Sequence, residues 1–263
     1  MFNLKSPTVM PSAMRSQSGF SLVELMVGIT VGLLVVVAAI GSLAYTQSTS
    51  TVVVDNAGLQ QKADAIFRNI AYHVEQAGAN NVEQSTGDPA KIIFSSGFTG
   101  FNPIVTGTPG FYIHGVEGPS NATDTLRVSY QNDGNVSDCM GNRLNAVTVP
   151  TFDNQFRVSN GSLMCLGADA SVPEQAIDVG VEDFQVTYGV QISAGNYQYF
   201  SADLVPNWTN VQAVSICLQL AGDTQGNPRV GPVFKGCRDQ NVANDGRIRR
   251  LFRRTISIRN ALL

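Results

Sequence analysis

The chain has 263 residues, enough for one membrane-anchored helix and one globular domain of ordinary size. Hydrophobic residues make up 43% of it and charged residues only 14%, a balance that suits an exported chain with an apolar anchor. With 17 basic and 20 acidic residues the net charge is −3, and this mildly acidic balance gives no support for broad nucleic-acid affinity.

The first 19 residues are basic and contain no acid. Their charges are Lys5 and Arg15, and under the positive-inside rule such a segment stays in the cytoplasm. If residues 1–19 are removed, 15 basic residues remain against 20 acidic ones, and the net charge becomes −5.

An apolar run begins at Gly19-Phe20-Ser21-Leu22-Val23-Glu24 and continues to about Tyr45. Roughly 25 residues rising about 1.5 Å each can cross a hydrocarbon layer of about 30 Å as a helix. Glu24 is the only charged residue in the run, and a carboxylate in lipid usually has a specific partner. Two alternatives stay open. One is a secretory signal cut after the run, near Ala38-Ala39, Gly41-Ser42 or Ala44, and the other is a signal anchor that is never cut.

The junction resembles the class III signal of type IV pilins and their relatives, which has the pattern Gly-Phe-(Ser/Thr)-Leu-Val-Glu-Leu. This resemblance implies that prepilin peptidase cleaves between Gly19 and Phe20 on the cytoplasmic side and methylates the new amine of Phe20. It also implies that Glu24 meets the terminal amine of a neighbouring subunit during assembly. The physical reason is that two charges in an apolar layer offset each other's desolvation only when they are paired.

One long helix is predicted from about Phe20 to Ala77. Residues 46–51 contain no Gly or Pro that would break it, and Gly78, followed by Ala79-Asn80-Asn81, is a stop signal. In the second half apolar residues recur every three or four positions, which is the pattern of one helix face: Leu59, Ala63, Ile66, Ile70, Val74 and Ala77. The helix therefore has an apolar half, with a transmembrane segment at about 20–45, and an amphipathic half.

After Asn81, short β-type runs alternate with segments rich in Gly, Pro, Asn, Ser and Thr. The predicted strands are Lys91–Phe94, Phe111–Val116, Thr125–Tyr130, Leu163–Leu166, Phe184–Val190, Val211–Leu220 and Ile248–Ile258. The longest predicted loops are 131–161, 191–210 and 221–247. The expected fold class is α+β, with the long pilin-like helix packed on a β-rich C-terminal globular domain. The expected division is a leader at 1–19, the helix at 20–78 and the globular domain at 79–263.

Four cysteines occur, all in the β-rich part: Cys139, Cys165, Cys217 and Cys237. They form no C-x-x-C pair, and His73 and His114 do not lie at zinc-finger spacing, so neither a metal nor another cofactor is expected. In an exported chain an even number of cysteines indicates two disulfides. Of the three possible pairings, Cys139–Cys165 and Cys217–Cys237 are favoured because each closes a local loop rich in Gly and Asn. Four free thiols are the alternative.

Beyond the helix the chain resembles the minor pilin family called PilW. The supporting features are the β-rich domain, a cysteine near an Asp/Gly/Asn loop, Trp208 before Val211–Leu220, and a final strand that ends in Arg259-Asn260. The resemblance implies a minor pilin precursor, a structural subunit of a type IV pilus that acts in assembly initiation or at the tip. Alternatives are a type II secretion pseudopilin of the J type and a signal-anchored exported enzyme or binding protein.

The same resemblance implies partners and a location. The partners would be prepilin peptidase, other minor and major pilins, the inner-membrane assembly platform and, before assembly, the lipid bilayer. The chain would cross the inner membrane once, with its N-terminus in the cytoplasm and its globular domain in the periplasm, and would then enter the pilus.

Three other patterns give weaker indications. The chain has no G-x-S-x-G, H-E-x-x-H or P-loop motif, so it is not expected to be an enzyme. The segment 132–138 is rich in oxygen ligands, but Leu144 stands where a calcium loop needs Glu, so a turn is expected. The five arginines in 247–254 could contact DNA phosphates or lipid headgroups. On an alternating strand they fall on both faces, so pairing with nearby Asp and Glu is expected instead.

Overall fold

The computed structural model describes residues 19–80, 82–84, 92–94, 112–119, 122–169, 171–225, 230–231, 233–243 and 245–260. The predicted leader, apart from Gly19, lies outside these ranges, as do the first residues of two predicted strands, Lys91 and Phe111. The chain divides into two compact units, one ending at Thr49 and one beginning at Ser50.

One helix, α1, runs through Leu22–Gln76 for 55 residues, which is about 80 Å at about 1.5 Å per residue. Its end lies where the sequence predicts. Gly78 has φ +74, a left-handed conformation that glycine adopts without steric cost, and its N–H donates to the Ser129 carbonyl at 3.0 Å. A Cβ at Gly78 would lie 2.7 Å from the Tyr112 ring, so the close approach of that ring also requires glycine.

The described residues of the β-rich part form two antiparallel sheets and two hairpins. The strands of the first sheet are β3 Ile113–Val116, β4 Thr125–Gln131, β5 Thr151–Ser159, β6 Ser162–Leu166 and β7 Gln175–Val179, in the order β3-β4-β5-β6-β7. Those of the second are β8 Val181–Ser193, β9 Asn196–Phe200, β10 Val211–Ala221 and β13 Arg249–Ser257, in the order β13-β10-β8-β9. The hairpins pair β1 Val82–Gln84 with β2 Ile92–Phe94, and β11 Val233–Lys235 with β12 Asn241–Ala243.

The core of the second unit lies between the amphipathic half of α1 and the two sheets. All six residues of the predicted helix face are buried, with at most 2% of their surface exposed. The predicted inner face of β10, formed by Val214, Ile216, Leu218 and Leu220, is fully buried. Burying each large apolar side chain contributes about 1.5–3 kcal/mol, so this contact stabilises the helix far more than its intrinsic propensity does.

The loop predictions are partly wrong. The predicted loop 131–161 contains the nine-residue strand β5, loop 191–210 contains β9, and loop 221–247 contains β11 and β12. Strands β1 and β7 were also not predicted. Strands β5, β7, β9 and β12 contain Asn, Gln, Asp or Ser, which are generally less common in strands but are tolerated where their side chains find hydrogen bonds.

Candidate functional site: the processing junction and the apolar helix

The junction between the leader and the helix is exposed. Gly19 and Phe20 precede α1 and lie outside regular secondary structure, and 82% of the Phe20 surface is exposed. A Cβ placed on Gly19 would meet no other atom within 4 Å. The first helical hydrogen bond of this turn runs from the Leu25 N–H to the Ser21 carbonyl at 3.1 Å. The peptide bond between Gly19 and Phe20 is therefore sterically accessible and lies outside the helical hydrogen-bond network.

The first half of α1 presents apolar side chains on all its faces. The large residues between Phe20 and Tyr45 are each more than half exposed within the described protein. By length and composition α1 is one helix that could cross a membrane. An exposed apolar surface of this extent marks a lipid or protein contact, because water solvates it poorly.

Glu24 is the only acidic residue in the first helical turn and is exposed. The carboxylate lies near the helix N-terminus, where the backbone N–H groups carry partial positive charge and favour an anion. Among the described residues no cation forms an ion pair with Glu24. The side chain is thus available to a positive group from outside the chain.

The amphipathic half of α1 contains a buried histidine. His73 is 2% exposed, and its Nδ1 lies 2.7 Å from the Tyr130 Oη. The hydroxyl of Tyr130 donates its one hydrogen to the Ser137 carbonyl at 2.9 Å, so Nδ1 must carry the imidazole hydrogen and donate to Tyr130. Burial lowers the pKa of His73 to about 4, because desolvation penalises the charged ring. His73 is therefore a neutral core residue that joins α1 to β4.

His114 in β3 has a similar character. Its ring packs against Trp208 at 4.8 Å between centroids, and Trp208 packs against Tyr188 at 4.7 Å. Burial lowers its pKa, and the nearby Arg127 lowers it further. The structure gives His114 an aromatic packing role.

The arginine-rich segment is distributed over two faces of β13, as expected. On one face, Arg249 contacts Glu182 and Asp245 at 2.7 and 2.8 Å, and Arg247 contacts the same two carboxylates. These arginines hold the pKa values of Glu182 and Asp245 below their ordinary range. On the other face, Arg254 contacts Asp64 on α1 at 3.3 Å. These arginines form ion pairs within the chain, and the segment forms no continuous basic stripe.

The oxygen-rich segment 132–138 forms turns, as expected. Asp133 Oδ1 accepts from the N–H groups of Asn135 and Val136, and Asn132 donates to the carbonyls of Leu144 and Val149. Within the described ranges no group of three or more His, Cys, Asp or Glu side chains could hold a metal ion.

Both expected disulfides are present, and the cysteines pair as Cys139–Cys165 and Cys217–Cys237. The first joins the turn after β4 to β6, and the Cys139 N–H donates to the buried Asn154 Oδ1 at 2.7 Å. The second joins β10 to the tip of the β11–β12 hairpin. The sequence predicts the two cysteine pairs, but it predicts neither the bond from Cys139 to Asn154 nor the attachment of β10 to the β11–β12 hairpin.

Comparison with known proteins agrees with both halves of this description. The family model for Type IV Pilus-assembly protein W matches residues 151–260, and the model for the prokaryotic N-terminal methylation motif matches residues 14–40. No curated protein matches.

Two solved structures resemble the fold weakly. A type IV-like pilin, TTHA1219 from Thermus thermophilus, is 15% identical, with 77% of this chain and 96% of that chain covered at a TM-score of 0.49. A chain of the GspK-GspI-GspJ complex of the type 2 secretion system of enterotoxigenic Escherichia coli is 11% identical, with 73% and 96% covered at a TM-score of 0.30. The assignment therefore rests on the two family models and on the structure of the chain itself.

A methylation-motif signal, a long helix with an apolar first half, and a β-rich C-terminal domain define a type IV pilin-like protein. Within that class the globular domain carries the more specific signal. Residues 151–260 match the family model for Type IV Pilus-assembly protein W, and this match supports a minor pilin of the PilW type.

Proposed function

We propose that this chain is a minor pilin precursor that prepilin peptidase cleaves between Gly19 and Phe20, after which it joins a type IV pilus as a rare subunit. The observation that carries the proposal is the lone carboxylate of Glu24 four residues after an exposed Gly-Phe bond, at the start of an exposed apolar helix. Cleavage and methylation leave a positively charged amine on Phe20, which suits a neighbouring Glu24 carboxylate.

The pairing of amine and carboxylate acts between subunits. In an apolar layer a lone carboxylate carries a desolvation penalty of several kcal/mol, which a cation at hydrogen-bonding distance offsets. A growing filament would then accept a new subunit only when the two charges meet. Glu24 is therefore an assembly residue, and its role is distinct from anchoring.

The helix anchors the precursor in the inner membrane once, with the leader in the cytoplasm and the globular domain in the periplasm. The two disulfides support that placement, because the periplasm is oxidising and the cytoplasm is not. The globular domain is large for a subunit that repeats along a tightly packed filament. Its size therefore favours a role in assembly initiation or at the pilus tip. In this role the protein works by binding other pilins and the assembly platform and catalyses no reaction.

The processing step is tested by Gly19→Val in the full-length chain. A branched side chain at the cleaved bond should leave the precursor uncut in the membrane, as judged by its mass and N-terminal sequence. Gly28→Val is the matched control, because a Cβ at Gly28 also meets no atom within 4 Å, and it should be cut as the wild type is. A Gly19→Val product that still begins at Phe20 would refute the proposed signal.

The assembly step is tested by Glu24→Leu. We expect normal cleavage and membrane insertion but loss of the protein from sheared pili. Normal recovery in pili would favour a simple signal anchor. For the processed wild-type protein, recovery with a secretion apparatus instead of with sheared pili would favour the pseudopilin alternative.

A further inference from the structure

One buried carboxylate joins the two sheets. The side chain of Asp124, which immediately precedes β4, is 3% exposed. Its Oδ2 accepts from the Val186 N–H in β8 at 2.8 Å, and its Oδ1 accepts from the Gly118 N–H at 3.0 Å. The Asp124 N–H in turn donates to the Phe184 carbonyl in β8 at 2.8 Å. We call this set of bonds the sheet junction.

Arg238 supplies the positive charge at the sheet junction. Its Nη2 lies 3.1 Å from Asp124 Oδ1 and 3.4 Å from Glu117 Oε1, and it donates to the Ala122 carbonyl at 2.8 Å. Its Nε donates to Gln185 Oε1 in β8. Burial raises the pKa of the Glu117 and Asp124 carboxyls, and Arg238 offsets only part of this increase.

The other charged groups that face this cluster are acidic on balance. Asp183 acts on Asp124, and Asp203 acts on Glu117, while Arg253 lines the adjacent cleft. Without Arg238 the buried Asp124 carboxylate would keep its two backbone N–H donors but would have no positive charge beside it, and the partly exposed Glu117 would add repulsion, which is unfavourable in a partly buried site.

Arg238 reaches this position from a weakly supported element. It lies in the tip, residues 236–240, of the β11–β12 hairpin, whose described strands pair only with each other. A lone two-stranded hairpin is marginally stable in water. The anchors of the tip are the adjacent Cys217–Cys237 bridge, Arg238 itself, a bond from Gln240 to Asp183 at 3.1 Å and one from Arg253 to the Cys237 carbonyl at 3.4 Å. The bridge is the only covalent one.

The two disulfides differ in access. Cys139 and Cys165 are buried, with 5% and 0% of their surface exposed. Cys217 is 8% exposed and Cys237 is partly exposed, and both line a solvent-open cleft of about 290 Å³. Thiol–disulfide exchange requires that a thiolate reach a sulfur in line, so an external dithiol reaches the second bridge more readily than the first.

We propose that the Cys217–Cys237 bridge is a redox latch, which in its oxidised form seats Arg238 on the sheet junction and in its reduced form releases the hairpin and loosens the contact between the sheets. In the reducing step an external dithiol donates two electrons and two protons. The S–S bond breaks to give two thiols, and the donor becomes a disulfide. Cys139–Cys165 stays oxidised and leaves the sheet junction unchanged. The latch is independent of the proposed pilus function.

The test is hydrogen exchange of the full-length protein in detergent, read at the amides of Val186 and Asp124. The variants are Cys217→Ser/Cys237→Ser, the matched control Cys139→Ser/Cys165→Ser, and Arg238→Met with both bridges intact. Loss of charge-assisted bonds should speed exchange at these amides about ten- to a hundredfold in the first and third variants and leave it unchanged in the control. Unchanged exchange in Arg238→Met, or an equal increase in the control, would overturn the latch.

A second measurement needs no variant. The native protein is treated with a water-soluble dithiol at low concentration, its thiols are alkylated at intervals, and the labelled peptides are identified by mass. Cys217 and Cys237 should be labelled first, together with faster exchange at Val186. Simultaneous labelling of all four cysteines, or earlier labelling of Cys139 and Cys165, would contradict the proposal.

Discussion

The two halves of α1 have the same backbone conformation and opposite surroundings. Between Leu22 and Thr49 the large apolar side chains are exposed, whereas between Ser50 and Gln76 one face is almost fully buried against the sheets. A helix in water is stabilised chiefly by packing of its apolar face, so the second half is complete within the domain. The first half gains comparable stabilisation only from lipid or from other subunits. One secondary-structure element thus has its stabilising contacts inside the domain at one end and depends on contacts from outside the chain at the other.

Replacing the same residue type in each half should separate these roles most clearly. Ile70 is fully buried and Ile40 is 62% exposed. Ile70→Ala should reduce the free energy of unfolding of the domain by about 2–5 kcal/mol, because it removes buried methyl groups and leaves a cavity. Ile40→Ala should change it by less than about 0.5 kcal/mol.

Denaturant unfolding in detergent, followed by the fluorescence of the only tryptophan, Trp208, measures both effects. The tryptophan reports on the domain because it packs against Tyr188 and His114. Equal losses for the two variants would mean that the first half also supports the fold of the domain.

The helix was predictable from the sequence because both of its halves carry strong local signals. A continuous apolar run indicates the first half, and spacings of three and four from Leu59 to Ala77 indicate the second. Strand β10 was predictable for the same kind of reason, since Val214, Ile216 and Leu218 alternate with smaller or polar residues. The candidate site at Gly19, Phe20 and Glu24 depends on a local motif and needs no tertiary information.

Strand β5 shows why other parts were not predictable. Phe152 and Phe156 alternate with polar residues as a strand requires, but Asn154 occupies the inward position between them. Asn154 fits there only because its Oδ1 accepts from the Cys139 N–H, a contact between residues 15 apart. Likewise Arg238 lies 114 residues from Asp124, and no local pattern relates them. Buried polar groups depend on distant partners, and sequence spacing does not show which partners meet.

A second prediction concerns the pH dependence of the helix–sheet contact. His73 has a folded-state pKa of about 4 against an ordinary value of 6.5, so its imidazole is harder to protonate in the folded protein than in the unfolded chain. Its contribution is complete above pH 6.5 and is lost as the pH falls toward 4, because only the unfolded chain takes up the proton. The slope is about 1.4 kcal/mol per pH unit, so the loss amounts to about 3 kcal/mol.

Unfolding measured at intervals between pH 7 and pH 4 tests this dependence. His73→Leu removes the titrating group, while Tyr130 still donates to the Ser137 carbonyl. The variant should lose the part of the slope that lies between pH 6.5 and 4. If wild type and variant show the same slope, acid sensitivity comes from groups other than His73.

The smallest effect is expected at the polar edge of the amphipathic half. The Arg254 guanidinium lies 5.0 Å from the centroid of the Phe67 ring and 3.3 Å from Asp64, with 42% of its side chain exposed. Solvent screens such a contact, so Arg254→Met should cost less than about 1 kcal/mol. The remaining difference should shrink at about 1 M salt, where the Debye length is about 3 Å. Arg259→Met removes an ion pair with Glu75 on α1 at a side chain that is 74% exposed, so it is the comparison variant and should cost less than Arg254→Met. A loss above about 2 kcal/mol for Arg254→Met would mean that charge at the helix edge, and not the buried apolar face alone, fixes the second half of α1 to the sheets.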